Sequence, residues 1–596
     1  MSSNPKPPFS KVLVANRGEI AVRVFRTLRE LGVATIAVYS EVDRGRLHAT
    51  VADEAYCIGG GLPAESYLCG DVVVETALRA GAEAIHPGYG FLAENAGFAR
   101  LVEQAGLVWI GPPPAAIEAM GSKIAARERM QAAGVPIIPG TTEPVESADE
   151  IKRLGREIGY PLAVKASAGG GGKGLKIVES EDEVERAFES ARREGEAYFA
   201  DPTVFVERYL VDPRHIEVQI MADAHGAVVH LGERDCTIQR RHQKLVEEAP
   251  SPAVNDELRA RIGVIAVEAA RAVGYRSAGT IEGLLSRDGE YFFLEMNTRI
   301  QVEHTVTEFV TGFDLVREQI LVAAGAPLSF TQEDVVLRGH AIECRINAED
   351  VGRGFLPAPG RITAYSEPGG PGVRVDSGVR AGDEISALYD PMIAKLVVHD
   401  VDRDRARRRM LRALEEFVIE GPPTLLGFHR ALLEHPCFVA GATCHGVVES
   451  EELAQRADEL THQLSHRQTT VAPASDGQPP TRSQLVGVEV DGKNFAVRLV
   501  VPEPPWAELA RARRGRGTDR SGPGSDVVES PMQGTVVEVE VTEGDAVVVG
   551  QVLFVVEAMK MENEIVAHRD GIVRSLTIEQ GQPVSAGQAI CVVADE

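Results

Sequence analysis

Short apolar runs alternate with amphipathic stretches over the first part of the chain. Residues 11–16 (KVLVAN) have the pattern of a buried strand, and 19–31 have that of a helix beginning just past Gly18. Another apolar run, 33–39 (VATIAVY), follows, and the alternation continues to the segment GPPPAA at 111–116. This order is typical of a parallel sheet flanked by helices. It predicts an N-terminal α/β domain over residues 1–115.

The middle of the chain mixes helical patterns with paired strands and predicts α+β domains over residues 116–335 and 336–450. Beyond these, residues 462–484 have almost no core-forming side chains, which predicts a linker. A hairpin signal follows, centred on Asp491-Gly492. We interpret residues 451–525 as a linker with a small β hairpin, which is either a unit that docks a partner or a spacer. Its four arginines between 511 and 516 are either solvated or dock on an acidic face.

The last 70 residues contain an internal repeat with an offset of 37 residues. The offset places Gly534 on Gly571, Gly544 on Gly581, Gly550 on Gly587 and Gln551 on Gln588. Each half has short strands separated by glycine turns. The repeat predicts a small all-β sandwich over residues 526–596, with Lys560 near the junction of the two halves.

Composition and charge restrict the class of protein. With 596 residues, 44% hydrophobic and 25% charged, the chain is an ordinary globular sequence too long for one core. A formal net charge of −26 argues against nucleic-acid binding. No run approaches the about 18 apolar residues of a membrane span, and no secretory signal opens the sequence. The seven scattered cysteines argue against a zinc site or a disulfide framework. We expect isolated thiols and a cytoplasmic protein.

A glycine run, SAGGGGKG at 167–174, lies between two apolar strand patterns. Its flexible backbone amides, among them those of Gly170, Gly171 and Gly172, could close over phosphates, with Lys173 adding charge. Lys165 on the preceding strand and Lys123 near the start of a helix strengthen this interpretation. The alternative is a flexible surface hairpin.

The stretch FFLEMNTRIQVEH at 292–304 alternates polar and apolar side chains. In an extended segment, one face would carry Glu295, Asn297, Arg299, Gln301 and Glu303. Such a face would be costly to bury without a function, because unpaired charge is unfavourable there. Glu282 could join Glu295 in holding a hard divalent cation. The alternative is a polar strand facing solvent.

Lys560 lies between Met559 and Met561 in the motif AMKM, where it is either an ordinary exposed lysine or a modified one. This motif resembles that of the biotinyl carrier domain of biotin-dependent carboxylases, a lipoyl-like sandwich. The first 450 residues resemble the ATP-grasp enzyme biotin carboxylase in motifs that occur in the family's order. These motifs are VANRGEIA (14–21), HPGYGFLAEN (86–95), MGSK (120–123), KASAGGGGKG (165–174), RDCTIQRRHQKLVEEAP (234–250), EMNTRIQVEH (295–304) and ECRINAED (343–350). Taken together, the carboxylase-like and carrier-like parts of the chain resemble the α subunit of an acyl-CoA carboxylase.

The resemblance implies a role for each candidate residue. ATP would be bound by Lys123, Lys165, the glycine run with Lys173, Glu207, His215 and His242. Glu282, Glu295 and Asn297 would hold Mg²⁺ or Mn²⁺. Bicarbonate would lie against Lys244, Arg299, Gln301 and the amide of Val302. Glu303 would remove its proton, and the resulting carboxyphosphate would supply CO₂ to biotin, whose developing oxyanion Arg345 would stabilise.

The resemblance also implies partners. A biotin protein ligase would attach biotin to Lys560, and a separate carboxyltransferase β subunit would use the carboxylated biotin, in a hetero-oligomer whose biotin carboxylase part could dimerise. Acetyl-CoA or propionyl-CoA is the expected acceptor. The alternatives are another acceptor (pyruvate, urea or methylcrotonyl-CoA) or a non-catalytic biotinyl carrier. The chain departs from the family pattern at Ser122, Arg208 and Thr305, where Asp, Lys and Pro are frequent.

Overall fold

The computed structural model describes residues 7–121, 123–141, 144–166, 175–199, 203–241, 243–470, 481–490, 493–502, 526–531, 534–558, 561–585 and 587–594. The chain forms two compact units, Met1–Thr461 and His462–Glu596. No helix in the described ranges combines the length and apolarity needed to cross a membrane.

The first unit begins with a sheet of parallel strands, all within residues 7–121. In spatial order the strands are Glu54–Cys57, Ala34–Tyr39, Lys11–Val14, Ala84–His86 and Val108–Trp109. Its helices are Gly18–Glu30, Leu47–Val51, Gly70–Arg79, Ala96–Gln104 and Pro114–Gly121. Val12 and Val14 pack into a core on one face and Leu13 into a core on the other, so helices cover both sides. The predicted parallel α/β arrangement is confirmed.

A long antiparallel sheet forms the body of the first unit. Its described strands, in spatial order, are Tyr291–Asn297, Ser277–Leu285, Arg214–Ala222, Val228–Arg240, Gln243–Ala249, His340–Asn347, Met392–Asp400 and Val373–Ser377. Gln243–Ala249 pairs with His340–Asn347, so the sheet continues without interruption across residue 335. No local pattern indicates this pairing, because register between strands almost a hundred residues apart depends on tertiary contacts.

Smaller elements surround this sheet. Leu162–Ala166, Leu175–Val178 and Val204–Arg208 form a separate sheet within the described residues, while the glycine run 167–174 lies outside them. Short strand pairs join Glu349–Asp350 to Leu356–Pro357, Gly360–Arg361 to Glu384–Ile385, and Ala364–Ser366 to Val418–Glu420. The helices of this part are Lys123–Ala132, Ala148–Ile158, Val184–Phe199, Asp256–Ala272, His304–Thr311, Leu315–Ala323, Arg403–Glu416, Leu426–Glu434, Pro436–Val439 and Glu451–Thr470.

The helix Glu451–Thr470 occupies the start of the segment interpreted as a linker over 451–525, so that prediction was wrong for residues 451–470. Leu453, Ala457 and Leu460 are buried along one face of the helix. Among the residues that follow, Gln463, Arg467 and Gln468 have high helix propensity even when solvated. A lack of core-forming side chains therefore argues against burial but does not exclude a helix.

The expectation of isolated thiols was wrong for one pair of cysteines. Cys437 and Cys444 form a disulfide, with their Cα atoms 5.6 Å apart. The chain turns back between them through Gly441, which adopts a positive φ of 68°, and the Ala442 amide donates to the Cys437 carbonyl at 3.1 Å. The two cysteines are the closest pair in the sequence, but their spacing is not that of a CxxC motif and does not by itself indicate a disulfide. The free cysteines among the described residues are Cys57, Cys69, Cys236, Cys344 and Cys591.

The second unit contains the predicted hairpin, in which Thr481–Val490 pairs with Lys493–Pro502. It also contains the predicted sandwich, described within 526–594 as two four-stranded sheets. The strands of one sheet are, in spatial order, Val527–Glu529, Ala589–Ala594, Gly571–Arg574 and Ala546–Val547. Those of the other sheet are Met561–Val566, Val552–Ala558, Gly534–Val539 and Pro583–Val584.

The repeat is visible in the pairing of the sandwich strands. Gly534 pairs with Val584 and Gly571 with Val547, so each half lends a strand to the other half's sheet. A Cβ on Gly534 would clash with the Glu557 carbonyl oxygen, and one on Gly571 would clash with that of Ala594. The repeated glycines thus mark symmetric close backbone approaches.

Candidate active site

Glutamates on neighbouring strands lie directly opposite one another in the long sheet. Glu295 pairs with Glu282, Glu282 with Glu217, and Glu217 with Arg234. Glu217 and Glu282 are buried and Glu295 is half-buried. Like charges opposite each other destabilise a sheet, and burial increases the cost. The arrangement therefore requires positive charges from other strands.

Lys244 supplies one of these charges. Its ammonium lies 2.5 Å from Glu217 Oε2, 2.6 Å from Glu303 Oε1 and 3.0 Å from Glu282 Oε1. These carboxylates hold the pKa of Lys244 well above its usual value, although burial acts in the opposite direction. Lys244 stays charged and draws residues from three segments of the chain to one point.

Arg234 supplies a second positive charge, and its side chain is fully buried. Its Nε donates to Glu217 Oε1, and its terminal nitrogens donate to Gln219 Oε1 at 2.7 Å and to Gln301 Oε1 at 2.8 Å. The terminal nitrogens of Arg234 also donate hydrogen bonds to Thr307 Oγ1 at 2.9 Å and to Thr280 Oγ1 at 3.2 Å. A guanidinium satisfied on all sides fixes the positions of the strands and the helix that it contacts.

Glu303 lies at the entrance to the helix His304–Thr311 and is 2% exposed. Lys244 contacts its Oε1, and Arg345 Nη2 lies 2.9 Å from its Oε2. Burial favours a raised pKa, but the Lys244, Arg345 and Arg234 charges outweigh it and hold the pKa of Glu303 well below its usual range. The Glu303 carboxylate is therefore ionised at neutral pH.

The predicted extended run from 295 to 303 ends early, because the strand stops at Asn297. The chain then turns so that Ile300 enters the hydrophobic core, and a helix follows. The prediction of a single strand face was wrong beyond Asn297. The polar side chains nevertheless converge on Glu282, to which Asn297 Nδ2 donates at 3.0 Å and Gln301 Nε2 at 2.5 Å.

Arg299 and Val302 lie at the edge of this group. Arg299 Nη2 donates to Asn297 Oδ1 at 2.6 Å, and its Nε donates to Glu94 Oε2 at 2.9 Å. The Val302 carbonyl accepts a hydrogen bond from Lys395 Nζ at 2.7 Å. Lys395 is fully buried and fixes the backbone just before Glu303.

Of the residues predicted to bind ATP, Lys165 and Glu207 lie together on the small sheet, where Lys165 Nζ donates to Glu207 Oε1. Arg127 Nη1 donates to the other Glu207 oxygen at 2.9 Å. His215 lies instead in the cluster around Glu282 on the long sheet, with its Nε2 2.7 Å from Glu282 Oε2. Lys123 is placed only by its backbone, at the start of a helix. The remaining predicted residues outside the described ranges are Gly170, Gly171, Gly172, Lys173, His242 and Lys560.

The site also contains residues that the sequence did not predict, namely Glu217, Arg234, Glu247 and Lys395. Alternation in HIEVQ, residues 215–219, places Glu217 and Gln219 on the same strand face as His215. That pattern could have indicated Glu217. Arg234 and Lys395 carry no local signal, because their partners lie on other strands.

The donor set fits a hard divalent cation. Glu282 and Glu295 face each other in register, and donor atoms of His215, Glu217 and Glu282 lie within 4.8 Å of one another. Carboxylate and amide oxygens are the ligands that Mg²⁺ and Mn²⁺ prefer. A cation would also relieve the repulsion between the paired carboxylates.

Comparisons with protein-family models cover most of the chain. Residues 8–117 match the N-terminal domain of biotin carboxylase, and residues 343–450 match its C-terminal domain. Residues 122–331 match the ATP-binding domain of the carbamoyl-phosphate synthase L chain, and 526–593 match the model described as biotin-requiring enzyme.

Individual relatives extend this result. The biotin-dependent acyl-coenzyme A carboxylase alpha3 subunit of Mycobacterium leprae is 44% identical over 613 positions, covering 100% of both chains. A pyruvate carboxylase subunit of Methanothermobacter thermautotrophicus is 56% identical over 433 positions, covering 73% of this chain and 88% of that one.

Solved structures match the carboxylase part. The biotin carboxylase domain dimer of Hydrogenobacter thermophilus 2-oxoglutarate carboxylase, with MgADP, ADP and bicarbonate, superposes with a TM-score of 0.68 and 48% identity. The match covers 74% of this chain and 99% of that one. The biotin carboxylase of Campylobacter jejuni superposes with a TM-score of 0.69 and 45% identity. This match covers 74% of this chain and 98% of that one. The predicted architecture, an ATP-grasp carboxylase with a biotinyl domain, is confirmed.

Replacing Arg234 with methionine tests whether this buried guanidinium holds the site together. Arg234→Met leaves Glu217 Oε1 without its buried partner and leaves only Lys244 to compensate the carboxylate, and breaking a buried pair of this kind costs about 3–5 kcal/mol of unfolding free energy. The urea midpoint of the full-length protein, followed by circular dichroism, should fall markedly. The matched control is Arg153→Met, which removes an exposed pair with Glu157 and should have little effect. Equal shifts for the two variants would contradict the assignment.

Proposed function

The chain belongs to the family of biotin-dependent acyl-CoA carboxylase α subunits, and on this premise we propose that the acceptor of its carboxyl group is an acyl-CoA. Its own activity is the ATP-dependent carboxylation of biotin, with covalent biotin and Mg²⁺ as cofactors. We propose that a separate carboxyltransferase subunit performs the transfer. Full-length similarity to an acyl-coenzyme A carboxylase subunit supports this.

One observation carries the assignment of roles in the site. Glu303 is the buried carboxylate at which Lys244 and Arg345 meet, one at each oxygen. A base that is ionised, dry and flanked by cations can accept the bicarbonate proton while the same cations attract the anion. An incoming anion draws Lys244 and Arg345 away from Glu303 and so raises its proton affinity at the moment of transfer.

Bicarbonate would be held by Lys244, Arg299, Gln301 and the Val302 amide. Lys395 on the Val302 carbonyl and Arg234 on Gln301 keep two of these groups in position. Deprotonation by Glu303 frees the oxygen that attacks the γ-phosphate of ATP. Positioning of this kind converts an encounter between two anions into a reaction within one complex.

The ATP phosphates would meet Lys123, Lys165 and the glycine run 167–174, while Glu207 and His215 would bind elsewhere along the nucleotide. The pairing of Lys165 with Glu207 keeps the lysine side chain oriented before ATP arrives. Mg²⁺, when bound, supplies positive charge that the phosphates need during transfer. Glu282, Glu295 and Asn297 would hold it.

Carboxyphosphate would break down to CO₂ and phosphate, and the phosphate would take the proton of the biotin ureido nitrogen. Arg345 would stabilise the biotin oxygen that becomes negative as this proton leaves, before the nitrogen attacks CO₂. Biotin would be attached at Lys560, next to the paired strands Val552–Ala558 and Met561–Val566. The hairpin Thr481–Val490 with Lys493–Pro502 would dock the carboxyltransferase. Pyruvate is a second candidate acceptor, favoured by the higher identity of the carboxylase part to a pyruvate carboxylase subunit.

Replacing Glu303 with glutamine should abolish the activity by removing the base. With free biotin and bicarbonate, ATP cleavage by Glu303→Gln should fall about 10²- to 10⁴-fold. The matched control is Glu233→Gln, which changes another buried glutamate paired with an arginine, Arg259. That control should keep its bicarbonate stimulation. Equal stimulation in the wild type and Glu303→Gln would refute the assigned role.

The acceptor can be identified with labelled bicarbonate and the purified carboxyltransferase partner. Label should pass to acetyl-CoA or propionyl-CoA with the wild type but not with Lys560→Ala, which has lost the attachment site. Lys560→Ala should still cleave ATP with free biotin, and the control Lys152→Ala, which removes a surface pair with Glu185, should transfer label normally. Transfer to pyruvate or urea in place of an acyl-CoA would contradict the proposed acceptor.

A further inference from the structure

Two buried carboxylates lie behind Arg345. Glu247 and Glu343 face each other directly across the strands Gln243–Ala249 and His340–Asn347, and both are fully buried. Arg345 Nε donates to Glu247 Oε1 at 2.6 Å. The Thr305 hydroxyl donates to Glu343 Oε2. Two adjacent negative charges in a dry sheet would repel strongly.

The second oxygen of each carboxylate is unsatisfied. Among the residues that the structure describes, nothing donates a hydrogen bond to Glu247 Oε2 or to Glu343 Oε1, although both atoms are buried. A buried polar atom without a partner is costly. A proton on one carboxyl, donated to the free oxygen of the other, would satisfy both atoms and remove the repulsion.

The surroundings favour retention of such a proton. Burial raises the pKa of Glu343 well above its usual value, and the negative Glu247 raises it further, whereas Lys395 and Arg345 oppose the shift. Burial also raises the pKa of Glu247 to about 7 against the Arg345 charge. The other titratable or charged groups that act on the pair are Lys244, Glu303, Tyr89 and Cys344.

We propose that Glu247 and Glu343 share one proton and that the pair positions Arg345 for biotin carboxylation. With one proton the pair carries one negative charge, which holds Arg345 through Glu247 while its Nη2 reaches Glu303. Loss of the proton breaks only one O–H bond but adds a second negative charge. That charge draws Arg345 towards the pair and away from the biotin site. The proposal deepens the proposed function and rests on it for the role of Arg345.

Infrared difference spectroscopy of the wild-type protein tests the shared proton directly. A deuterium-sensitive C=O band of a protonated carboxyl should be present at neutral pH, vanish on alkaline titration and be missing in Glu343→Gln. The matched control is Glu248→Gln on the same strand as Glu247. Arg403 and His340 hold the pKa of Glu248 at about 2 against the effect of burial, so this variant should keep the band.

The pH profile of bicarbonate-dependent ATP cleavage with free biotin tests the positioning role. The activity of the wild type should decline at alkaline pH, which gives the profile an alkaline limb. Glu343→Gln, whose neutral amide replaces the protonated acid, should not show this limb. Thr305→Val removes a hydrogen bond that stabilises ionised Glu343 and should move the limb to higher pH. Glu247→Gln should lower kcat/KM for biotin by about 10- to 100-fold, as when a group that orients an active-site residue is removed.

Absence of the infrared band from the wild type, or an alkaline limb in Glu343→Gln matching that of the wild type, would overturn the proposal. A purely structural role would lower stability without changing the shape of the profile. If the wild type showed the band but no bicarbonate-dependent ATP cleavage, the proposed function and with it the role assigned to Arg345 would fail, while the proton-sharing pair would stand.

Discussion

Repulsion between carboxylates that lie side by side in a dry sheet is the constraint on which the active site depends. The register of the long sheet fixes Glu295, Glu282 and Glu217 opposite one another. His215 meets Glu282 from within these strands, and the fixed positive charges come from Arg234 and Lys244 on other strands. Only the assembled fold supplies this compensation, so the sheet and the site form together.

The same cations that stabilise the sheet prepare the chemistry. Lys244 joins Glu217 and Glu282 to Glu303, and Arg345 joins Glu303 to Glu247. In the proposed mechanism, an anion that enters this network would exchange partners with carboxylates already in place, so little reorganisation would be required. Because the sheet continues across residue 335, Arg345 reaches the site on a strand that is neighbour to the one carrying Lys244.

Local patterns in the sequence were sufficient where the determining interactions are local. Alternating strands and helices predicted the parallel sheet, in which Val12 and Leu13 bury opposite faces. The glycine repeat predicted the sandwich, because Gly534 and Gly571 mark equivalent backbone approaches. Other features depend on contacts between distant segments: the pairing of Glu247 with Glu343, the burial of Arg234, and the loop joining Cys437 to Cys444. The strand prediction beyond Asn297 failed because burial of Ile300 prevailed over alternation.

The most direct test of the account is a double-mutant cycle between Lys244 and Glu303, read in bicarbonate-dependent ATP cleavage with free biotin. Lys244→Gln, Glu303→Gln and the double variant would be compared at one pH. If the two residues act as one ionic unit, the double variant should be little worse than the more damaging single variant. Effects that multiply as for independent residues would contradict the central claim.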